Sequence, residues 1–175
     1  MKFNPLGLEG AFLIETEQLQ DQRGFFARTF CRHEFCEKGL SSVVAQCNIS
    51  YNSKRGTLRG MHYQYPDSEV KLVRCTRGRI WDVIIDLRPE SSTYCQYAAV
   101  ELTTDNRMML YIPERFAHGF LTLEDNVEVF YQMSEFYAPG QSCGVRWNDP
   151  VFSIYWPEPV QVISERDNNY PDYTP

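Results

Sequence analysis

The chain has 175 residues, a hydrophobic fraction of 43 % and a formal net charge of −6. That length suits a single domain with a real core, and the acidic balance argues against a nucleic-acid binder, which would carry a basic face. No apolar run approaches the roughly 20 residues of a membrane span, and Met1-Lys2-Phe3-Asn4-Pro5 lacks a signal core, so no membrane partner and a cytoplasmic location are expected.

In chain order, short strand-like runs alternate with turn signals. Ala11 to Glu15 predicts a strand, Asp21-Gln22-Arg23-Gly24 a turn, and Phe25 to Phe30 the next strand. Arg32 to Lys38 predicts one short helix, with Gly39 placed to end it. Val43 to Tyr51 and Thr57 to Gln64 are β-like, separated by the turn Ser53-Lys54-Arg55-Gly56. Lys71 to Thr76 and Arg79 to Leu87 flank Gly78 in the manner of a hairpin. Tyr94 to Leu102, Met108 to Ile112, His118 to Leu123 and Val127 to Ser134 are further strands. Beyond Tyr137 the chain turns Pro-rich and irregular. Many short strands with evenly spaced turns predict an all-β sandwich or jelly-roll barrel, a shape able to hold a small ligand. The aromatic fraction of 14 % suits strands. The six cysteines form no CxxC pair and are expected as reduced thiols.

Two of the three histidines fall in these strands. His62 lies in Leu58-Arg59-Gly60-Met61-His62-Tyr63-Gln64, and His118 in Ile112-Pro113-Glu114-Arg115-Phe116-Ala117-His118-Gly119-Phe120. Taken alone, a strand histidine is more often structural than catalytic. Gly56 followed by His62, and Pro113 followed by His118, resemble the two motifs of cupins. A metal-binding cupin usually carries a second histidine two residues after the first; here that position is Gln64. Two histidines without a carboxylate or a third imidazole make a poor site for zinc or iron. No metal is therefore expected.

A closer resemblance covers nearly the whole chain. Asp21-Gln22-Arg23-Gly24-Phe25-Phe26, Gln46-Cys47-Asn48, the His62 segment, Lys71-Leu72-Val73-Arg74, Gly78 through Asp82 and the His118 segment are similar to the dTDP-4-dehydrorhamnose 3,5-epimerase family. Tyr137-Ala138-Pro139, Trp147-Asn148-Asp149 and Ile163-Ser164-Glu165-Arg166-Asp167 continue the match in order. The resemblance implies a cupin-type jelly roll with one or two short helices, and an isomerase acting on a nucleoside diphosphate 4-keto-6-deoxy sugar. It implies that His62 is the proton-abstracting base, Asp167 its paired carboxylate, Tyr131 the hydroxyl on the opposite sugar face and Lys71 the cation near the ketone. It places Arg23, Phe26, Arg28, Gln46, Asn48, Arg59, His118 and Arg166 at substrate-contacting positions. It also implies a homodimer, in which a segment such as Phe12 to Phe30 extends the partner's sheet and covers an edge.

The chemistry asks for these residue types. A ketone acidifies the hydrogens on its neighbouring carbons, so removing one gives an enolate and reprotonation from the other face inverts the centre. For this proton-transfer chemistry no cofactor is expected. Histidine titrates near 6.5, suited to that base. A buried carboxylate fixes its tautomer. The enolate oxygen needs a preorganised positive group, and a tyrosine hydroxyl can carry the second proton. Guanidinium groups suit the diphosphate. Arg59 and His62 are an odd number apart, so an ideal strand points them to opposite faces. Either Gly60 marks a bulge or Arg59 serves another part of the site.

Some positions depart from the family pattern. Arg28 stands where an acidic residue is frequent, Gln132 where lysine is, and Ser142 where an acidic contact is; Glu135-Phe136-Tyr137 replaces a polar-Tyr-Tyr stretch. These are expected where substrate identity is read. The alternatives are epimerisation at C3 only, another nucleotide, a metal-dependent cupin oxygenase or isomerase, and a non-catalytic sugar-binding cupin.

Overall fold

The computed structural model describes residues 1–175. Thirteen strands and two short helices follow in order: β1 (Lys2–Pro5), β2 (Phe12–Glu15), β3 (Gln18–Asp21), β4 (Gly24–Ala27), α1 (Arg32–Glu37), β5 (Gln46–Asn52) and β6 (Leu58–Gln64). Then come β7 (Lys71–Arg77), β8 (Arg79–Asp86), β9 (Tyr97–Thr103), β10 (Met109–Ile112), β11 (Phe116–Thr122), β12 (Val127–Met133), β13 (Ser142–Gly144) and α2 (Glu165–Asn168). One sheet runs β1-β2-β10-β7-β12-β5 and the other β13-β6-β11-β8-β9, while β3 and β4 form a separate hairpin. This is the expected all-β jelly roll with two short helices.

The two sheets face each other across the main core. Val73, Leu110, Ile112 and Val129 from the six-stranded sheet meet Ile80, Ile84, Leu102 and Phe120 from the five-stranded sheet. Each sheet is also covered on its outer face. Around α1, Phe35 packs with Ile14, Leu72, Met109 and Tyr111 on the first sheet. On the second, Val145 and Phe152 of the C-terminal region pack against Met61, Val83 and Ile85, with Trp156 and Tyr173 at the edge. Burial on both faces explains why Ile80 to Ile85 reads as an apolar run and not as an alternation.

Lys71–Arg77 and Arg79–Asp86 do not form the expected hairpin. β7 lies between β10 and β12, and β8 between β11 and β9 in the other sheet. Gly78, at φ +79°, is a corner between sheets; a Cβ there would sit 2.9 Å from Val127 Cγ2. The strand expected over Phe25 to Phe30 ends at Ala27 and pairs back onto β3, a segment too polar to signal a strand. The C-terminal region is irregular, as expected, but it is tied down: Leu58 N donates to Val162 O at 2.8 Å, beside a parallel bridge from Thr57 to Val162.

Candidate active site

A cavity of about 420 Å³ opens between the sheets, and both contribute side chains. Arg59 and His62 come from β6 and His118 and Phe120 from β11 on one wall; Lys71 from β7 and Tyr131 and Met133 from β12 form the other. The irregular 134–142 stretch adds Tyr137 and Ser142, and the C-terminal turn adds Arg166.

The Arg59 question is answered by β6 itself. His118 pairs with His62 and Phe120 with Arg59, so three steps on β6 oppose two on β11. That extra residue is a bulge at Gly60–Met61, and it turns Arg59 and His62 onto the same cavity. The close approach demands glycine. Gly60 has φ +131°, and a Cβ on it would lie 2.5 Å from Gly119 Cα. Arg59 is steadied by Nε donating to Asn52 Oδ1 at 2.6 Å.

His62 Nε2 lies 2.8 Å from Asp167 Oδ1, across 105 positions of sequence. The other carboxylate oxygen, Oδ2, accepts from Gly60 N at 3.1 Å. Asp167 sits in the single turn of α2, whose N-cap Ser164 accepts from Asp167 N at 3.1 Å. The carboxylate is 7 % exposed. Burial pushes its pKa up, but the His62 hydrogen bond and ion pairing and the Gly60 amide outweigh this and hold it below the ordinary range. An ionised carboxylate only accepts, so Nε2 carries a ring proton, and in the neutral imidazole the lone pair is then on Nδ1.

A second histidine pair sits beside the first. His118 Nε2 lies 2.6 Å from Asp82 Oδ1, with Asp82 fully buried on β8 diagonal to His118. Asp82 carries no role in the sequence reading, although a charge inside the apolar run Ile80 to Ile85 marks it. Lys71 is also paired: its Nζ lies 2.6 Å from Glu69 Oε1 and donates to His62 O at 3.3 Å. Glu69 lies in a loop with no periodic pattern, so nothing in the sequence signals it. Burial raises the pKa of Tyr131, opposed by the Arg59 charge, and keeps its hydroxyl protonated.

Gln64 occupies the position of a would-be metal ligand, but its amide is engaged elsewhere. Oε1 accepts from Ala138 N at 2.8 Å and Nε2 donates to Phe136 O at 3.2 Å, pinning the 136–138 loop. No three His, Cys, Asp or Glu side chains cluster as a metal site anywhere in the chain.

Not every expected substrate residue reaches the cavity. Gln46 and Asn48 touch Met133 Sδ at 3.6 Å, one residue behind the lining. Arg23, Phe26 and Arg28 belong to the β3–β4 hairpin and its exit, outside the cavity of this chain. Arg23 is 90 % exposed and pairs with Asp21, Phe26 is 70 % exposed, and Arg28 pairs with Glu34 at 2.9 Å. Gln132 lies one residue from Tyr131 and faces the opposite side of β12, against Arg74 and Phe130. Alternation along the strand therefore removes it from the cavity. Ser142 does line the cavity, where its carbonyl and hydroxyl accept from Arg166 Nη2 at 3.0 and 2.8 Å.

A family profile described as dTDP-4-dehydrorhamnose 3,5-epimerase matches residues 5–174. The chain belongs to that family. It is 45 % identical over 172 residues to the dTDP-4-dehydrorhamnose 3,5-epimerase of Methanothermobacter thermautotrophicus, covering 97 % of this chain and 92 % of the relative. The crystal structure of the Elizabethkingia anophelis enzyme superposes with a TM-score of 0.96 at 36 % identity, covering 99 % of this chain and 96 % of that one. That of the Bacillus anthracis enzyme, with TDP and PPi bound, gives a TM-score of 0.94 at 35 % identity, covering 98 % and 99 %. As a member of the epimerase family the protein is an isomerase, and the cavity between its sheets is the candidate active site.

Proposed function

We propose that this epimerase inverts C3 and C5 of a dTDP-4-keto-6-deoxyhexose through an enolate. His62 is the base and Tyr131 the opposing proton carrier. The observation that carries this reading is their placement: His62 on the five-stranded wall, Tyr131 on the six-stranded wall, and the Lys71 ammonium on the cavity between. His62 Nδ1 takes the proton next to the ketone, and Asp167 balances the imidazolium that forms. Lys71 donates to the oxygen on which negative charge develops. The protonated Tyr131 hydroxyl returns a proton from the other side; the tyrosinate then recovers one from solvent and the His62 imidazolium gives its proton up to solvent, which resets both groups. The same groups serve either carbon, because both flank the same ketone.

Arg59 and Arg166 present guanidinium groups to the cavity and suit the diphosphate. The TDP bound by the Bacillus anthracis relative supports thymidine as the nucleoside. Arg23, Phe26 and Arg28 have a role in this reading if the hairpin carries them into a partner's cavity. Phe25 and Phe26 on that hairpin, and Ile49 and Tyr51 on the unpaired edge of β5, expose apolar surface that suits such an exchange in a homodimer. Six unpaired cysteines fit a reducing compartment, and the cytoplasm is the proposed location.

The test is proton exchange followed by NMR in deuterated water, with dTDP-4-keto-6-deoxyglucose as substrate. The expected result is label at C3 and C5 with the wild type, and about a 1,000-fold slower uptake with His62→Ala. Label at C3 alone would make the protein a 3-epimerase, and no label at either carbon would sink the dTDP-sugar reading.

A further inference from the structure

The Lys71 side chain is long and flexible, and an unrestrained ammonium on such a stem has no defined direction. In this cavity it is restrained from two sides. Glu69 Oε1 lies 2.6 Å from Nζ, and the His62 carbonyl accepts from Nζ at 3.3 Å. An ammonium has three donors, so two are engaged within the protein and one remains for the cavity that Lys71 lines. Glu69 is itself immobilised. Its side chain is 3 % exposed, and its second oxygen, Oε2, accepts from Gln64 N at 3.2 Å.

The backbone on either side of Glu69 is anchored as well. Ser68 Oγ accepts from Arg115 N at 2.6 Å, and Val70 N donates to Ser134 Oγ at 2.8 Å. A buried ion pair adds little net stability against an apolar replacement. Its consequence here lies in where it holds the ammonium.

We propose that Glu69 is a positioning residue: it fixes the Lys71 ammonium so that its remaining N–H points at the sugar ketone. The carboxylate links the base strand to the electrophile, because the Gln64 amide it grips and the His62 carbonyl that Lys71 grips both belong to β6. Base and electrophile are thereby held in one frame. A misplaced donor leaves binding of the nucleotide intact and weakens only the stabilisation of the developing enolate. This inference rests on the roles proposed above for His62 and Lys71.

The experiment compares Glu69→Ala, Glu69→Gln and Glu69→Asp, each also combined with Lys71→Met. It reads kcat for label uptake from deuterated water, the dissociation constant of dTDP alone, and thermal stability. Glu69→Ala is expected to lower kcat about 10- to 100-fold, with dTDP affinity within about twofold of wild type. Glu69→Gln keeps one amide oxygen to accept from Nζ but turns its NH2 toward the Gln64 N–H, and is expected to recover only part of that loss. In the Lys71→Met background the Glu69→Ala change is expected to cost less than about twofold, since there is no ammonium left to place.

Should Glu69→Ala not fold, Glu69→Asp serves, because a carboxylate drawn back by one methylene is expected to show the same selective fall in kcat. The proposal is overturned if the folded variants keep kcat within about twofold of wild type, or if they lose the same factor with Lys71→Met as without it. Loss of label in the wild type would strike the epimerase reading instead; a labelled wild type with equally active Glu69 variants strikes this inference alone.

Discussion

The two histidine–aspartate pairs of the cavity are built in different ways. His118 and Asp82 stand on neighbouring strands of one sheet, and their closeness is a property of strand register. His62 and Asp167 are joined across 105 positions, with the aspartate supplied by a four-residue helical turn near the C-terminus. His118 is nearly enclosed, whereas the His62 imidazole is 39 % exposed. The sheet-bound pair is fixed by strand register while His118 lines the cavity, and the turn-supplied pair leaves the His62 imidazole open to the cavity. A base that must exchange protons needs that access, and an orienting carboxylate on an independently capped turn provides it without opening the sheet.

Predictions follow from this contrast, and the largest concerns the enclosed pair. His118→Ala leaves Asp82 buried, with one oxygen already lacking a partner, so unfolding free energy is expected to fall by about 3 kcal/mol. Chemical denaturation measures it; an unchanged midpoint would show that the pair does not support the scaffold.

Next is the His62–Asp167 pair, the proposed base and its carboxylate. Asp167→Asn is expected to lower kcat about 100-fold, equivalent to about 2.7 kcal/mol of barrier, because the amide no longer enforces the tautomer. The pH dependence has a definite sign. The folded-state pKa of Asp167 is depressed, so its contribution is fully present above the ordinary carboxylate value near 4 and is lost as pH falls through the folded value. Stability of the wild type is therefore expected to decline on acidification below about pH 4, and the Asn variant to lack that part of the decline. Acid titrations of both, followed by circular dichroism, compare the slopes.

The smallest effect belongs to the turn that carries the aspartate. Ser164→Ala removes the N-cap of α2 and is expected to cost about 1 kcal/mol, local to the C-terminal segment. Faster amide exchange at Asp167 and Asn168, with β11 amides unchanged, would mark the turn as separable from the sheets. Equal change in both would merge the two regions into one cooperative unit.

Much of this was legible in the chain. Many short strand-like runs with evenly spaced turns carry the all-β reading, and the family resemblance carries His62, Lys71, Tyr131, Arg166 and Asp167 as candidate site residues. Asp82 was visible only as a charge in an apolar strand. Glu69 was not visible at all, because a loop has no period to violate. Gly78 was misread since a glycine at positive φ ends a hairpin and turns a sheet corner equally well; strand pairing, a long-range matter, decides which.

The sequence by itself determined the fold class through its short strands and turns and, through its resemblance to a known family, the reaction class and the residues proposed for the site, because strand pattern and motif chemistry are local properties. Tertiary structure alone decided three things. The bulge at Gly60 put Arg59 and His62 on one face, since only the close packing of β6 against β11 reveals that two residues, Gly60 and Met61, oppose the single Gly119. The folding of residues 162–168 onto β6 brought Asp167 to His62. The two sheets set His62 and Tyr131 on opposite walls, with Glu69 paired to Lys71. Each depends on which surfaces meet across the core, and that is fixed by the summed burial of residues far apart in the chain.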